Sequence, residues 1–174
     1  MPIVTVTSRG PLEKSNADAK RKPLIGIEEA TLDDKGRLLI SKKKRDRLGK
    51  NFVLVLGSVG CLTIYPEHVW DQLNDSLDQY DVMDHGMEQY TRLIFATAQD
   101  DLKFDVQGRL VVPQELRKLA GLKKRVLVLG ARNRVELWDP DEYEAYRVDP
   151  DVYGLARRDA LERAVAQMKA GRSA

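Results

Sequence analysis

Two short spans of this 174-residue chain place an aspartate four residues ahead of an arginine, with a glycine directly before the arginine: Asp33-Asp34-Lys35-Gly36-Arg37 and Asp105-Val106-Gln107-Gly108-Arg109. Glycine tolerates positive φ, so each span reads as a tight turn. Just beyond such a turn a guanidinium projects from fixed backbone, and its planar fork suits bidentate bonds to phosphate oxygens or to the edge of guanine. The aspartate lies close enough across the turn to orient that arginine. The same pair also has a plainer reading, as a brace for the hairpin, because exposed ion pairs often contribute little else. The two readings overlap.

The surrounding charge favours a polyanion. The net charge is only +2, but Lys35 to Lys50 holds eight basic residues and one acidic one, and Arg109 to Arg125 holds six and one. Acidic residues gather instead in Glu67 to Asp84 and Asp139 to Asp151. Lys42, Lys43, Lys44, Arg45 and Arg47 in the first segment, and Arg117, Lys118, Lys123 and Lys124 in the second, are candidates for phosphate contacts with salt-dependent affinity. A solvated charged face is the plainer reading of such runs.

What must position these residues is an internal repeat. At an offset of 72 residues the first turn overlies the second, Arg45 overlies Arg117, and Gly49 overlies Gly121. At an offset of 73, Val53-Leu54-Val55-Leu56-Gly57 recurs identically as Val126-Leu127-Val128-Leu129-Gly130, and Tyr65 and Trp70 find Trp138 and Tyr143. Each copy predicts a short strand (29–32; 101–104), the glycine turn, a returning strand (37–40; 109–112) and a brief helix (42–48; 114–120) ended by glycine. Two more strands follow (52–56 with 61–65; 126–129 with 134–138), then a helix opening near Pro66 or Pro140. The first of these helices is expected to reach about Asp78.

Five segments result: a basic extension over 1–23, a first unit over 24–80, a bridging helix over 81–99, a second unit over 100–147, and an amphipathic C-terminal helix over 148–174. The bridge rests on Met83, Met87, Tyr90, Ile94 and Ala98 at helical spacing, the last helix on Leu161, Ala164, Val165 and Met168. Each unit is too small for a comfortable core alone, so strands of one copy are expected to complete a barrel with strands of the other.

Other classes find little support. No apolar run approaches the ~18 residues of a membrane span, and no basic start with an apolar segment marks export, so a cytoplasmic protein is expected. Cys61 sits in an apolar stretch and reads as a buried structural thiol; with only His68 and His85 beside it there is no zinc set. No nucleophile elbow, P-loop or dinucleotide fingerprint occurs, so neither an enzyme, a small-molecule substrate nor a cofactor is expected.

Taken together, Thr31-Leu32-Asp33-Asp34-Lys35-Gly36-Arg37-Leu38, Asp105-Val106-Gln107-Gly108-Arg109-Leu110-Val111-Val112-Pro113 and Val135-Glu136-Leu137-Trp138-Asp139 resemble the MraZ family, relatives of AbrB-type regulators, over about Leu24 to Tyr146. The resemblance implies an α+β fold of tandem AbrB-like swapped-hairpin β-barrel units with peripheral helices. It implies a nucleoid-associated transcriptional regulator that binds double-stranded DNA repeats upstream of its own division and cell-wall gene cluster, assembled as a ring-like homo-oligomer. By matching positions it points to Asp33, Arg37, Asp105 and Arg109 as DNA-binding residues, supported by Lys35, Arg45 and Arg117. The sequence departs from the family pattern at Ser41, where proline is usual, at Leu24-Ile25-Gly26, and in the residues before them. An alternative is an oligomeric protein-interaction module or an antitoxin-like AbrB relative, with the N-terminal extension or the C-terminal helix binding another chain.

Overall fold

A computed structural model describes residues 22–172; most of the expected basic extension over 1–23 therefore lies outside the described residues. The first half contains β1 (Ile27–Thr31), β2 (Arg37–Leu39), α1 (Lys42–Leu48), β3 (Phe52–Leu56), β4 (Leu62–Pro66) and α2 (Glu67–Asp75). After α3 (His85–Ile94) and a 3-10 turn (Phe95–Thr97), the second half contains β5 (Arg109–Val111), α4 (Gln114–Leu119), β6 (Arg125–Gly130), β7 (Val135–Trp138) and α5 (Pro140–Val148). A long α6 (Leu155–Arg172) ends the described chain.

The sheets are where the two halves interleave. One antiparallel sheet has five strands in the order β1-β6-β7-β4-β3, and β2 with β5 forms a separate two-stranded ribbon. Thus β1 and β2, a hairpin of the first half, both pair with strands of the second. The architecture is α+β with exchanged hairpins; among the described residues β1 and β3 are the sheet edges, and the strands do not close into a barrel.

Register reveals the symmetry. In the ribbon Leu38 faces Leu110, flanked by Arg37↔Val111 on one side and Leu39↔Arg109 on the other; a shift of 72 residues turns one flank into the other. In the β4–β7 ladder Thr63 faces Glu136, flanked by Leu62↔Leu137 and Ile64↔Val135, which exchange under the 73-residue shift. A pseudo-twofold axis therefore passes through both central pairs.

Ribbon and sheet enclose one core drawn from both halves. Leu38, Ile40, Leu110 and Val112 point down from the ribbon, and Leu54, Leu62, Ile64, Val126, Val128, Val135 and Leu137 point up from the sheet, all buried. Each such side chain contributes about 1.5–3 kcal/mol through burial, so neither half keeps this core without the other. The opposite face of β3 is covered as well: Val55 packs with Ile94 and Leu161, beside Tyr65, Trp70 and Tyr90. That double coverage explains why Phe52 to Leu56 is an unbroken apolar run. Cys61 is buried, and burial pushes its thiol up to about 12, which disfavours the thiolate near neutral pH.

Three features differ from expectation. No strand forms over 101–104; only isolated bridges remain, Leu54↔Gln99 and Phe104↔Leu110. Here Gln99-Asp100-Asp101-Leu102-Lys103 stands where β1 has Ile27-Glu28-Glu29-Ala30-Thr31, aspartate is a poor strand former, and the preceding 3-10 turn enters the segment directly. The helix after Pro66 ends at Asp75, short of Asp78. Asp84 accepts a hydrogen bond from the Met87 amide and caps α3, so Met83 lies ahead of the helix and is exposed instead of joining its apolar stripe. In α6, Leu161, Ala164 and Met168 are buried. A Cβ at Gly86 of α3 would meet the Cβ of Gln167 at 2.7 Å, so glycine permits the close approach of α3 to α6. Arg157 holds the helix in place by donating to the carbonyls of Leu56, Gly57 and Leu93 at 2.7–2.8 Å.

Candidate nucleic-acid interface

The two Asp-x-x-x-Arg segments fold into the same turn. In the first, Asp33 Oδ1 accepts from the amides of Lys35 (3.0 Å) and Arg37 (2.9 Å), while Oδ2 accepts from Arg37 Nε at 2.6 Å. In the second, Asp105 Oδ1 accepts from the amides of Gln107 and Arg109, both at 2.9 Å, and Oδ2 from Arg109 Nε at 2.8 Å. The backbone repeats as well: Gly36 N donates to the Asp33 carbonyl and Gly108 N to that of Asp105, each at 2.9 Å. Gly36 and Gly108 adopt φ of 77° and 80°, which disfavours any residue with a Cβ.

Electrostatics reinforce the geometry. The Arg37 amide, then the Arg37 guanidinium and the Lys35 amide, hold the Asp33 carboxyl below its ordinary value; the Arg109 amide leads the same effect at Asp105. Each aspartate thus stays ionised and engages only the Nε edge of its arginine. The terminal Nη groups make no hydrogen bond with any described residue, and the Arg37 and Arg109 side chains keep 31% and 29% of their exposure. A guanidinium held at one edge and open at the other is preorganised for a bidentate acceptor.

Each turn is braced by the other half. The Gly36 carbonyl accepts from Val112 N at 2.8 Å and the Gly108 carbonyl from Ile40 N at 3.1 Å, a reciprocal pair. Arg117 packs behind the first turn: a Cβ at Gly36 would lie 3.0 Å from its Cζ. Arg45 packs behind the second, where a Cβ at Gly108 would lie 2.5 Å from its Cζ. Arg45 Nε donates to the Ile40 carbonyl at 2.9 Å, whereas Arg117 Nε is buried without a partner among the described residues. Their equivalence at an offset of 72 was visible in the sequence; their crossing to the opposite turn was not.

The wider basic segments divide. Lys35 is exposed at the tip of the first turn. Lys44 is turned inward instead of toward a phosphate: it is 1% exposed and its Nζ meets Glu28 Oε1 at 2.7 Å, where the second half buries Leu116. Glu28 Oε1 also accepts from Ser41 Oγ at 3.1 Å. Ser41 keeps the backbone of the equivalent proline, with φ −57° against −54° for Pro113, so this departure leaves the entry into α1 unchanged. Lys42 is paired with Asp46 at 2.6 Å, and Lys123 with Asp141 at 3.3 Å. Arg47 donates to the Pro23 carbonyl. Lys43, Lys118 and Lys124 are exposed.

Two further residues share the outer face of the ribbon. Leu39 and Val111 alternate with buried Leu38 and Leu110, and each stands opposite an arginine of the other strand. The period-2 pattern Arg-Leu-Leu and Arg-Leu-Val carried that signal, although the repeat alone drew attention only to the arginines.

Comparison with known proteins gives one family. A model described as "MraZ protein, putative antitoxin-like" matches twice, over residues 24–93 and 94–150. Among curated relatives, a protein of Acetivibrio thermocellus is 36% identical over 127 residues, covering 73% of this chain and 88% of the relative. One of Pediococcus pentosaceus is 39% identical over 120 residues, covering 69% and 83%, and one of Frankia casuarinae is 38% identical over 122 residues, covering 70% and 85%. All three are named transcriptional regulator MraZ.

Proposed function

The chain belongs to the MraZ family, and from that premise we propose that it is a transcriptional regulator that binds double-stranded DNA through both Asp-x-x-x-Arg turns. The observation that carries this reading is the pair of turns with matching hydrogen bonds, each leaving a guanidinium edge open to solvent. In this reading Arg37 and Arg109 contact the DNA, Asp33 and Asp105 orient them, Lys35 adds a phosphate contact, and Arg45 and Arg117 hold the opposite turn in place. The targets are repeats upstream of its own gene, within a division and cell-wall cluster. Copies of the chain assemble so that several turn pairs engage successive repeats, which raises avidity without a new kind of contact. Such a protein works in the cytoplasm on the nucleoid; among the described residues no helix is long and apolar enough to cross a membrane.

A second reading follows from the antitoxin-like description of the family, in which the main partner is another protein. A gel-shift series with the DNA upstream of the gene separates the two. Saturable binding, stronger than to a scrambled duplex and falling steeply with salt, supports the regulator. Absence of binding, or indifference to sequence at every salt concentration, supports the protein partner.

A further inference from the structure

The outer face of the β2–β5 ribbon is not uniformly polar. Its four side chains form two cross-strand pairs, Arg37 with Val111 and Leu39 with Arg109, so two aliphatic groups lie between two guanidinium groups. Leu39 is 54% exposed and Val111 51%, while the intervening Leu38 and Leu110 are fully buried on the core side. Exposed leucine or valine occurs singly on most surfaces. Here the two are equivalent across the pseudo-twofold axis, lie on one short ribbon, and sit beside the two arginines that, among the described residues, have Nε fixed by a turn aspartate.

A two-stranded antiparallel ribbon is one of the elements that the major groove of B-DNA admits. Within that groove each base pair shows its own pattern of donors and acceptors, and the C5 methyl of thymine offers an apolar contact. The arginines supply charge complementarity to the flanking guanine edges or phosphates. On the reading that this chain binds DNA through its turns, we infer that Leu39 and Val111 are specificity-determining residues that read thymine methyl groups between the positions engaged by Arg37 and Arg109. The DNA element thus carries A·T pairs at the centre of each contact. Leu39 reaches further than Val111, so the two contacts are unequal and the Leu39 side discriminates more strongly.

The test amplifies the upstream fragment with either dTTP or dUTP, which removes the methyl groups while leaving phosphates and base pairing in place. Full-length protein is compared with Leu39→Ala, Val111→Ala, the double alanine variant, and Arg37→Ala/Arg109→Ala. The expected result is weaker binding of wild type to the uracil fragment, by roughly fourfold for each methyl buried. The double alanine variant is expected to bind both fragments alike, near the wild-type level on uracil, with unchanged sedimentation. Loss of the thymine preference in this variant separates methyl contact from any general effect of uracil on the duplex. Equal binding of wild type to both fragments, while Arg37→Ala/Arg109→Ala abolishes binding, overturns this inference and leaves DNA recognition intact. Persistent discrimination by the double alanine variant overturns it too. A change in oligomeric state in that variant assigns the patch to contact between copies of the chain and overturns it as well. If wild type binds neither fragment, both the inference and the reading beneath it fall.

Discussion

Around Gly36 and around Gly108 the backbone and aspartate bonds agree to within a few tenths of an ångström, yet the residues behind and in front of the two turns differ. The first turn carries Asp34 and Lys35 at its tip, the second Val106 and Gln107. Behind them, α1 buries Lys44 against Glu28 where α4 buries Leu116. Arg45 satisfies its Nε on Ile40, whereas Arg117 leaves that donor buried and unpaired among the described residues. What stays constant is the aspartate, the glycine, the arginine and the two reciprocal bonds across the axis. Turn geometry is therefore set by local hydrogen bonds and by the other half, and is independent of tip chemistry.

The largest effects should come from exchanging the supports. Leu116→Lys places a charge in the core with no glutamate bridge like that of Lys44, and should cost about 3–5 kcal/mol by urea denaturation. Lys44→Leu should be neutral or stabilising, because an apolar side chain there avoids desolvating an ammonium and Glu28 retains Ser41. Equal costs for the two substitutions would show that the halves tolerate charge alike and break the comparison.

That asymmetry was hidden in the sequence. Lys44 stands in a run of three lysines and reads as exposed, since nothing in local composition tells which lysine meets a carboxylate from β1. The repeat, the glycine turns and the short helix at 42–48 were all legible, because glycine, periodicity and duplicated apolar runs are local signals. The cross-half pairings were expected in kind, but their register was not: alternation assigns a face to Leu38 and Leu110 without naming their partners. The missing strand over 101–104 shows the converse, since a repeat predicts equivalence and Asp100-Asp101 defeats it. At the site, Asp33, Arg37, Asp105 and Arg109 were readable from spacing. The placement of Arg45 and Arg117 behind opposite turns depends on the interleaving, and so on tertiary structure.

Smaller effects test the turns themselves. Gly108→Ala and Gly36→Ala each force a Cβ into positive φ, costing about 1–2 kcal/mol. Gly108→Ala should be the more damaging, because its Cβ would meet the Arg45 guanidinium at 2.5–2.7 Å and displace it from its bond to the Ile40 carbonyl, whereas a Cβ at Gly36 would meet Arg117 at 3.0 Å and the Val112 carbonyl oxygen at 3.1 Å. Thermal unfolding of the two variants ranks them, and the reverse order would contradict the packing described.

Acid should act on both turns together and weakest of all near neutrality. Asp33 and Asp105 have folded pKa values depressed below their unfolded ones. Their contribution is thus fully present above the ordinary carboxylate pKa and is lost as pH falls through the depressed values, below about pH 4. DNA affinity should stay flat from neutrality down to that range in an anisotropy titration; a midpoint near pH 6 would implicate a different group.

The most direct measurement is the DNA affinity of Arg37→Ala, Arg109→Ala and the double variant beside wild type, on one upstream duplex at one salt concentration, with circular dichroism and sedimentation as controls for fold and assembly. Equivalent turns predict similar losses of about 10- to 100-fold for each single variant and no saturable binding for the double, with structure unchanged. A folded, normally assembled double variant that binds the duplex as tightly as wild type would contradict the account.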